Sequence, residues 1–236
     1  MNNSAEAIER GGARLPAGRL RLAQFSLHPA GTLNRQNVER YIGARFQRVY
    51  GAQINHFQPQ LITLTGASSY CAAVGLAAAS SGKLFAETYL RSPIEQLIGE
   101  AKGEPVGREQ ILEIGNLVST WKGSGLLLFV FLSELIERLG YRWVVFTATR
   151  HVERLLGRLH YAPVVLADAD PGCLPDGGAS WGSYYQRQPR VMFGEVRPAV
   201  NMARKGLLYR SAARAVSAQV DRVVAEFRQC PAHVIG

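Results

Sequence analysis

The chain has 236 residues, 47% of them hydrophobic and 19% charged, which excludes a disordered chain and suffices for one large domain or two small ones. Lys and Arg number 27 against 18 Asp and Glu, so a formal charge of +9 favours anionic partners: nucleic acid, a phosphorylated cofactor, an acidic protein or an anionic membrane. The longest apolar run, 126–132, is far short of the ~20 residues of a membrane span, no signal-peptide core is visible, and Cys71, Cys173 and Cys230 have no metal or disulfide spacing. A cytoplasmic location is therefore expected.

Residues 1–18 read as a flexible basic arm with Gly11, Gly12 and Gly18. A strand is predicted over 20–27, then a turn marked by Pro29, Gly31 and Asn34. Helical spacing follows over 34–50, with Val38, Tyr41, Ile42, Phe46 and Val49 on one face and arginines on the other. Strands over 60–65 and 71–79 form a hairpin through 66–69. Within the second, Gly75 and the alanines 77–79 mark a close approach to the backbone. The stretch LFAETYL (84–90) fits a strand or a helical turn, after which Pro93 opens a short helix carrying Glu95 and Gln96. The run 110–118 is β-leaning but interrupted by Gly115 and Asn116, which predicts a bulge or a splayed end.

Next come an apolar helix from Leu126 closed by Gly140, a strand over 142–147, a basic helix over 150–159 and a strand over 162–167. A loop spans 168–180, residues 181–185 and 190–196 supply one or two last strands, and an Ala- and Arg-rich helix is predicted over 199–229. The order β-α-β-β-(α)-β-α-β-α-β-β predicts an α/β fold with one domain over 19–198 around a mixed sheet. The basic helical segment over 199–236 adds to it, with Arg204, Lys205, Arg210, Arg214, Arg222 and Arg228 as a landing site for an acidic partner.

Chemistry concentrates around 113–125. The turn Gly123-Ser124-Gly125 before a helix leaves free N–H groups at 122–126 that suit a phosphate, and equally fit an ordinary strand-to-helix turn. Glu113 is the one acid of an otherwise apolar strand. Burial would raise its pKa toward that of a general base; an ion pair with an arginine is the other reading. His151 and His160 lack partners at metal spacing, so no metal site is expected. Aromatics interleaved with Lys and Arg are lacking, so no nucleic-acid site is expected either.

The loop Thr120-Trp121-Lys122-Gly123-Ser124-Gly125 resembles the Q/R-x-x-G-x-G/A loop of the GNAT superfamily of N-acetyltransferases, with Thr120 where Gln or Arg is usual. YLRSPIEQ (89–96), EIGNLVS (113–119), WVVFTAT (143–149), LADADP (166–171) and WGSYY (181–185) resemble the thermostable hemolysin family, similar in fold to that group. EIGNLVS is also similar to the E-x-S-R-F strand of acyl-homoserine-lactone synthases, which take acyl chains from acyl carrier protein; Asn116 stands near their Arg.

These resemblances imply a GNAT-like mixed, splayed sheet flanked by helices, and an N-acyltransferase moving an acyl group to a small amine. The donor would be acyl-phosphopantetheine on an acidic acyl carrier protein, or acyl-coenzyme A, with no permanently bound cofactor. Lys122, Gly123, Ser124 and Gly125 would hold the donor's phosphates, and Leu117, Val118 and Ser119 would polarise the thioester carbonyl. Glu113 would be the base, Asn116 its neighbour in the site, and Glu87 and Glu95 would meet the acceptor amine. Leu156 falls where many GNAT enzymes carry the tyrosine that protonates the leaving thiolate; Tyr184 and Tyr185 are substitutes or half-buried aromatics. Thr120, the cations Lys122, Arg150, Arg154 and Arg158, and room for an acyl tail beside Ala72, Ala73, Gly75 and the alanines 77–79 favour a long-chain acyl carrier protein donor. The alternatives are a membrane-active hemolysin, and a non-catalytic GNAT-fold binding module; any membrane contact would be peripheral, through the basic C-terminal helix.

Overall fold

Among the described residues seven strands pair into one mixed sheet: β1 (Gln24–Pro29), β2 (Gln60–Thr65), β3 (Tyr70–Ala78), β4 (Ile111–Ser119), β5 (Trp143–Ala148), β6 (Val164–Asp168) and β7 (Arg190–Glu195), in the order β1-β2-β3-β4-β5-β7-β6. Among the described residues six helices flank them: α1 (Arg35–Tyr50), α2 (Ile94–Lys102), α3 (Ser124–Leu139), α4 (Arg150–Arg158), α5 (Val196–Ala203) and α6 (Leu207–Arg228). The computed structural model describes residues 23–66, 69–120, 124–158 and 161–230. The expected basic arm, the start of the first predicted strand, Trp121, Lys122 and Gly123 of the donor loop, and His160 lie outside them.

Helix α3 is apolar on nearly every side because it is covered twice. Leu127, Phe131 and Leu135 pack with Phe25, Val74 and Leu112 of the sheet and with Val220, Val223 and Phe227 of α6 in one core. Phe131 stacks on Phe25 at 3.7 Å between ring centroids; truncating such a ring to Ala costs about 3–5 kcal/mol. On the opposite face α1 sets Val38, Ile42 and Phe46 against Leu61, Ala73 and Val118, and α2 sets Ile94 and Ile98 against Ile111, Trp143 and Val145.

The expected splay is present. Strands β4 and β5 run parallel and pair only from Ile111↔Trp143 to Ile114↔Phe146. Beyond that, β4 continues to Ser119 against β3, and β5 to Ala148 against β7. A register shift between Ala73 and Gly75 marks a bulge in β4, where Asn116 takes a left-handed φ of 49°.

Two local expectations are corrected, and one open reading is resolved. Residues 181–185 form no strand; they lie among 3-10 turns at Ala179–Trp181 and Tyr185–Arg187. Gly182 sets this loop: its φ is 54°, and a Cβ there would sit 2.1 Å from the Tyr50 carbonyl oxygen. LFAETYL resolves as a 3-10 turn over Ala86–Tyr89. The single C-terminal helix is two, α5 and α6, parted at Arg204–Gly206, and α5 already begins at Val196.

The basic face is also thinner than expected, because several of its arginines serve the fold. Arg204 forks onto Glu134 (3.1 and 2.8 Å) and also binds Glu137. Arg222 donates to the Phe25 carbonyl, and Arg228 to that of Arg138 at 3.0 Å. Lys205, Arg210 and Arg214 remain exposed.

Candidate active site

Glu113 sits mid-sheet, opposite Ala77 on β3 and Val145 on β5, one pair short of where β4 and β5 part. It is 2% exposed. One carboxylate oxygen accepts from the Ala86 N–H at 2.8 Å and the other from the Phe85 N–H at 2.9 Å. Those amides open the 3-10 turn Ala86–Tyr89, so the carboxylate caps it. Burial pushes the Glu113 carboxyl up to about 7, against the pull of the two amides and of Gln58 and with the added push of the Glu87 charge. Both protonation states are thus populated near neutrality, the condition a general base needs.

Ordinary β alternation would send Asn116 to the face opposite Glu113. The left-handed residue turns it back. Its Oδ1 accepts from the Gln58 N–H at 2.8 Å and its Nδ2 donates to the His56 carbonyl at 3.1 Å. Asn116 therefore pins the irregular segment before β2 across the sheet. The Gln58 side chain lies over two glycines: a Cβ on Gly75 would stand 2.7 Å from Gln58 Cβ, and one on Gly115 would stand 2.9 Å from Gln58 Nε2. The room expected for an acyl tail at Gly75 is filled by Gln58. The His56 ring stacks on Phe85 at 4.7 Å, beside the amide that holds Glu113, and burial lowers its pKa.

Glu87 and Glu95 are joined by Arg108, which sequence reasoning did not single out. The Arg108 guanidinium donates to Glu87 at 2.7 and 3.0 Å, to Glu95 at 2.7 Å, and to the carbonyls of Ala79 and Gly82 at 2.8 and 2.6 Å. Glu87 also accepts from the amides of Leu84 and Ile94. Burial raises the Glu87 pKa, but Arg108 and these amides outweigh it and hold the carboxyl down at about 2. Glu87 is thus a fixed charge that shapes the turn over Glu113. Glu95 lines an open cleft of about 370 Å³ with Gln96, Gly99, Glu100, Pro105 and Val106, on the outer side of α2.

On the donor side, Leu117 is exposed and Val118 is buried against α1. Ser119 and Ser124 share a hydroxyl hydrogen bond at 2.8 Å. The Cys71 carbonyl accepts from the Ser124 hydroxyl, the Thr120 N–H and the Thr120 hydroxyl at 3.2, 2.9 and 3.0 Å. These bonds tie the end of β4 to the start of α3, with Gly125 as the helix's second residue; Lys122 and Gly123 are not among the described residues. Across the split, Thr147 stands one residue past the last β4–β5 pair, and among the described residues its buried hydroxyl has no hydrogen-bond partner. Exposed Arg150 and Arg154 follow on α4.

Tyr185 exchanges a 2.6 Å hydrogen bond with Tyr89. Tyr184 packs among Phe46, Tyr50 and Trp181, and burial drives its pKa up. Tyr184 belongs to the aromatic layer under α1, whereas Tyr185 packs with Tyr89 and Trp181 on the side of α2. Among the described residues no group of three or more His, Cys, Asp and Glu side chains is placed to hold a metal ion, and no helix is long and apolar enough to cross a membrane.

Residues 28–200 match the family described as thermostable hemolysin. No curated protein matches the chain. Among solved structures, FeeM, an N-acyl amino acid synthase from uncultured soil microbes, is similar with a TM-score of 0.51 and 10% identity, covering 78% of this chain and 99% of that one. The AHL synthase LasI is similar with a TM-score of 0.51 and 11% identity, over 77% and 93% of the two chains. A CoA-dependent acyl-homoserine lactone synthase, MesI, has 18% identity and a TM-score of 0.45 over 77% and 94%. At these identities the likeness to FeeM and LasI is one of fold: a GNAT-like, splayed α/β sheet.

Proposed function

The chain belongs to the thermostable hemolysin family, and from that premise we propose that it is an N-acyltransferase carrying an acyl group from a phosphopantetheine thioester to a small amine. The observation that carries the reading is Glu113: a buried carboxyl one pair before the β4–β5 split, whose pKa burial raises to about 7. Glu113 takes a proton from the incoming amine. The nitrogen lone pair attacks the thioester carbonyl, the C–N bond forms, the C–S bond breaks, and the thiolate leaves and takes up a proton. Past Ile114 the edge of β4 that faces β5 has no strand partner among the described residues; the Thr120 N–H donates to Cys71 on β3, so by alternation the N–H groups of Leu117 and Ser119 face the open edge, which supports them as donors to the oxyanion. The orphaned Thr147 hydroxyl is a second donor for an acyl oxygen. Asn116 and Gln58 hold the wall on the acceptor side, and Glu87 with Glu95 and Arg108 position the turn that Glu113 caps.

For the donor we favour a long-chain acyl group on acyl carrier protein, with acyl-coenzyme A as runner-up. The solved proteins of similar fold include an N-acyl amino acid synthase and an AHL synthase. Thr120, where Gln or Arg is usual in the GNAT loop, spends its hydroxyl on Cys71 and Tyr41, which leaves one anchor fewer for a nucleotide. Arg150 and Arg154, exposed just beyond β5, offer an acidic carrier a landing site by the split.

The test is turnover of acetyl-coenzyme A, long-chain acyl-coenzyme A and long-chain acyl carrier protein against a panel of amines at low and physiological salt. The expected result is preference for the carrier, weakening as salt rises, and a loss of roughly two to four orders of magnitude in Glu113→Gln. Preference for acetyl-coenzyme A would overturn the donor assignment. An unchanged rate in Glu113→Gln would overturn the base.

A further inference from the structure

The elbow between α5 and α6 has no place in the chemistry above. Seven large hydrophobic residues are exposed among the described residues, and three of them fall within seven positions here: Met202 (42%), Leu207 (76%) and Leu208 (56%). Their neighbours face inward. Val200, Tyr209 and Ala212 are buried in the main core, and Arg204 is tied to Glu134 and Glu137. The elbow is therefore held rigidly with its apolar tip outward. Lys205, Arg210 and Arg214 are exposed around it, Leu207, Arg210 and Arg214 follow one another at helical spacing on α6, and the stretch 196–220 contains no acidic residue.

We propose that this elbow docks the protein on an anionic lipid surface, Met202, Leu207 and Leu208 entering the interface while Lys205, Arg210 and Arg214 meet the headgroups. Apolar tips ringed by cations, on helices too polar to span a bilayer, match interfacial binding. An acidic carrier protein fits less well. Arg204 fixes the elbow to the C-terminal half of α3, whereas the donor loop meets its N-terminus at Ser124, roughly 15–20 Å away along the helix. A carrier seated at the donor loop has no need of exposed leucines at the other end.

The experiment is co-sedimentation of the full chain with phosphatidylcholine vesicles, with and without about one quarter phosphatidylglycerol. Binding should require the anionic lipid and weaken with salt. Leu207→Ser/Leu208→Ser, which removes apolar surface without changing charge, should lower partitioning by at least about tenfold. Lys205→Gln and Arg210→Gln should each lower it on the order of fivefold and serve if the leucine variant proves unstable. Absence of binding to anionic vesicles, equal binding to neutral ones, or insensitivity to these substitutions would overturn the proposal. So would capture of an acidic carrier protein through the same residues while vesicles are ignored. Because the readout is partitioning, acyl transfer can fail its own test without affecting this one.

Discussion

Replacing Glu113 by Gln separates a carboxyl that titrates near neutrality from one that is merely a cap, with no substrate required. Its pKa rises from 4.5 unfolded to about 7 folded, chiefly through burial. At about 1.4 kcal/mol per pH unit, this corresponds to about 3 kcal/mol. The folded state holds the proton more tightly. The contribution is therefore fully present below pH 4.5 and is lost as pH rises through 7. Wild type measured against Glu113→Gln should lose about 3 kcal/mol of relative stability over that interval, with a flat difference at higher pH. Gln offers one acceptor to the two amides of Phe85 and Ala86, which adds an offset of about 1 kcal/mol that leaves the slope unchanged. Urea unfolding of both proteins at pH values from about 4 to 9 measures the difference. Parallel curves, or a difference that grows with pH, would mean that the two amides hold the carboxylate ionised well below neutrality. Glu113 would then be a structural cap, and the proposed base would have to be sought elsewhere.

Arg108→Met should destabilise by roughly 3 kcal/mol, since it strands Glu87, whose side chain is 7% exposed; the 27% exposure of Arg108 keeps the loss at the low end for a buried pair. Glu87 titrates low in the fold, so its stabilisation is present above pH 4.5 and fades as pH falls toward 2; urea unfolding should show the deficit of the variant shrinking in acid. Gly115→Ala should cost about 1–2 kcal/mol, and Gln58→Ala should relieve that cost, because the obstructing atom is the far end of the Gln58 side chain. Gly75→Ala should find no such relief, because there the obstruction is Gln58 Cβ; thermal melts of the single and double variants decide between the two. Thr147→Val should leave stability equal or raise it by about 1 kcal/mol, since it removes an orphaned hydroxyl, yet slow acyl transfer by about tenfold or more if that hydroxyl meets the acyl oxygen.

Local pattern carried most of the fold. The strand predicted over 60–65 coincides with β2, and the order of strands and helices through β7 is the one read from periodicity. The misreadings fall where tertiary contacts override local preference. Aromatic residues favour strands, but Trp181 and Tyr184 fill a layer under α1, and the close approach of Gly182 to Tyr50 turns the chain away from extension. The break between α5 and α6 falls at Arg204–Gly206, where Arg204 meets Glu134 and Glu137 some seventy positions earlier and Gly206 starts α6; the ion pair has no local signal.

The site divides along the same line. Glu113 was legible because an acid in an apolar strand must be either paired or functional, and Gly115-Asn116 was legible because it breaks a strand pattern. Gln58 was not: it stands in a run without periodicity, and only the folded chain lays it across Gly75 and Gly115. The signal that could have found it lies in the glycines. Two small residues facing each other on neighbouring strands, Gly75 opposite Gly115, leave a hollow in a central sheet that a side chain from outside must fill. The expectation of room for an acyl tail pointed to this hollow, whose Gly75 end Gln58 fills. With Gln58 there, the acyl chain of the proposed reaction would run toward the other side of the split, past Leu117 and Thr147. That is why Thr147→Val, rather than a substitution along β3, is the sharper probe of where the donor lies.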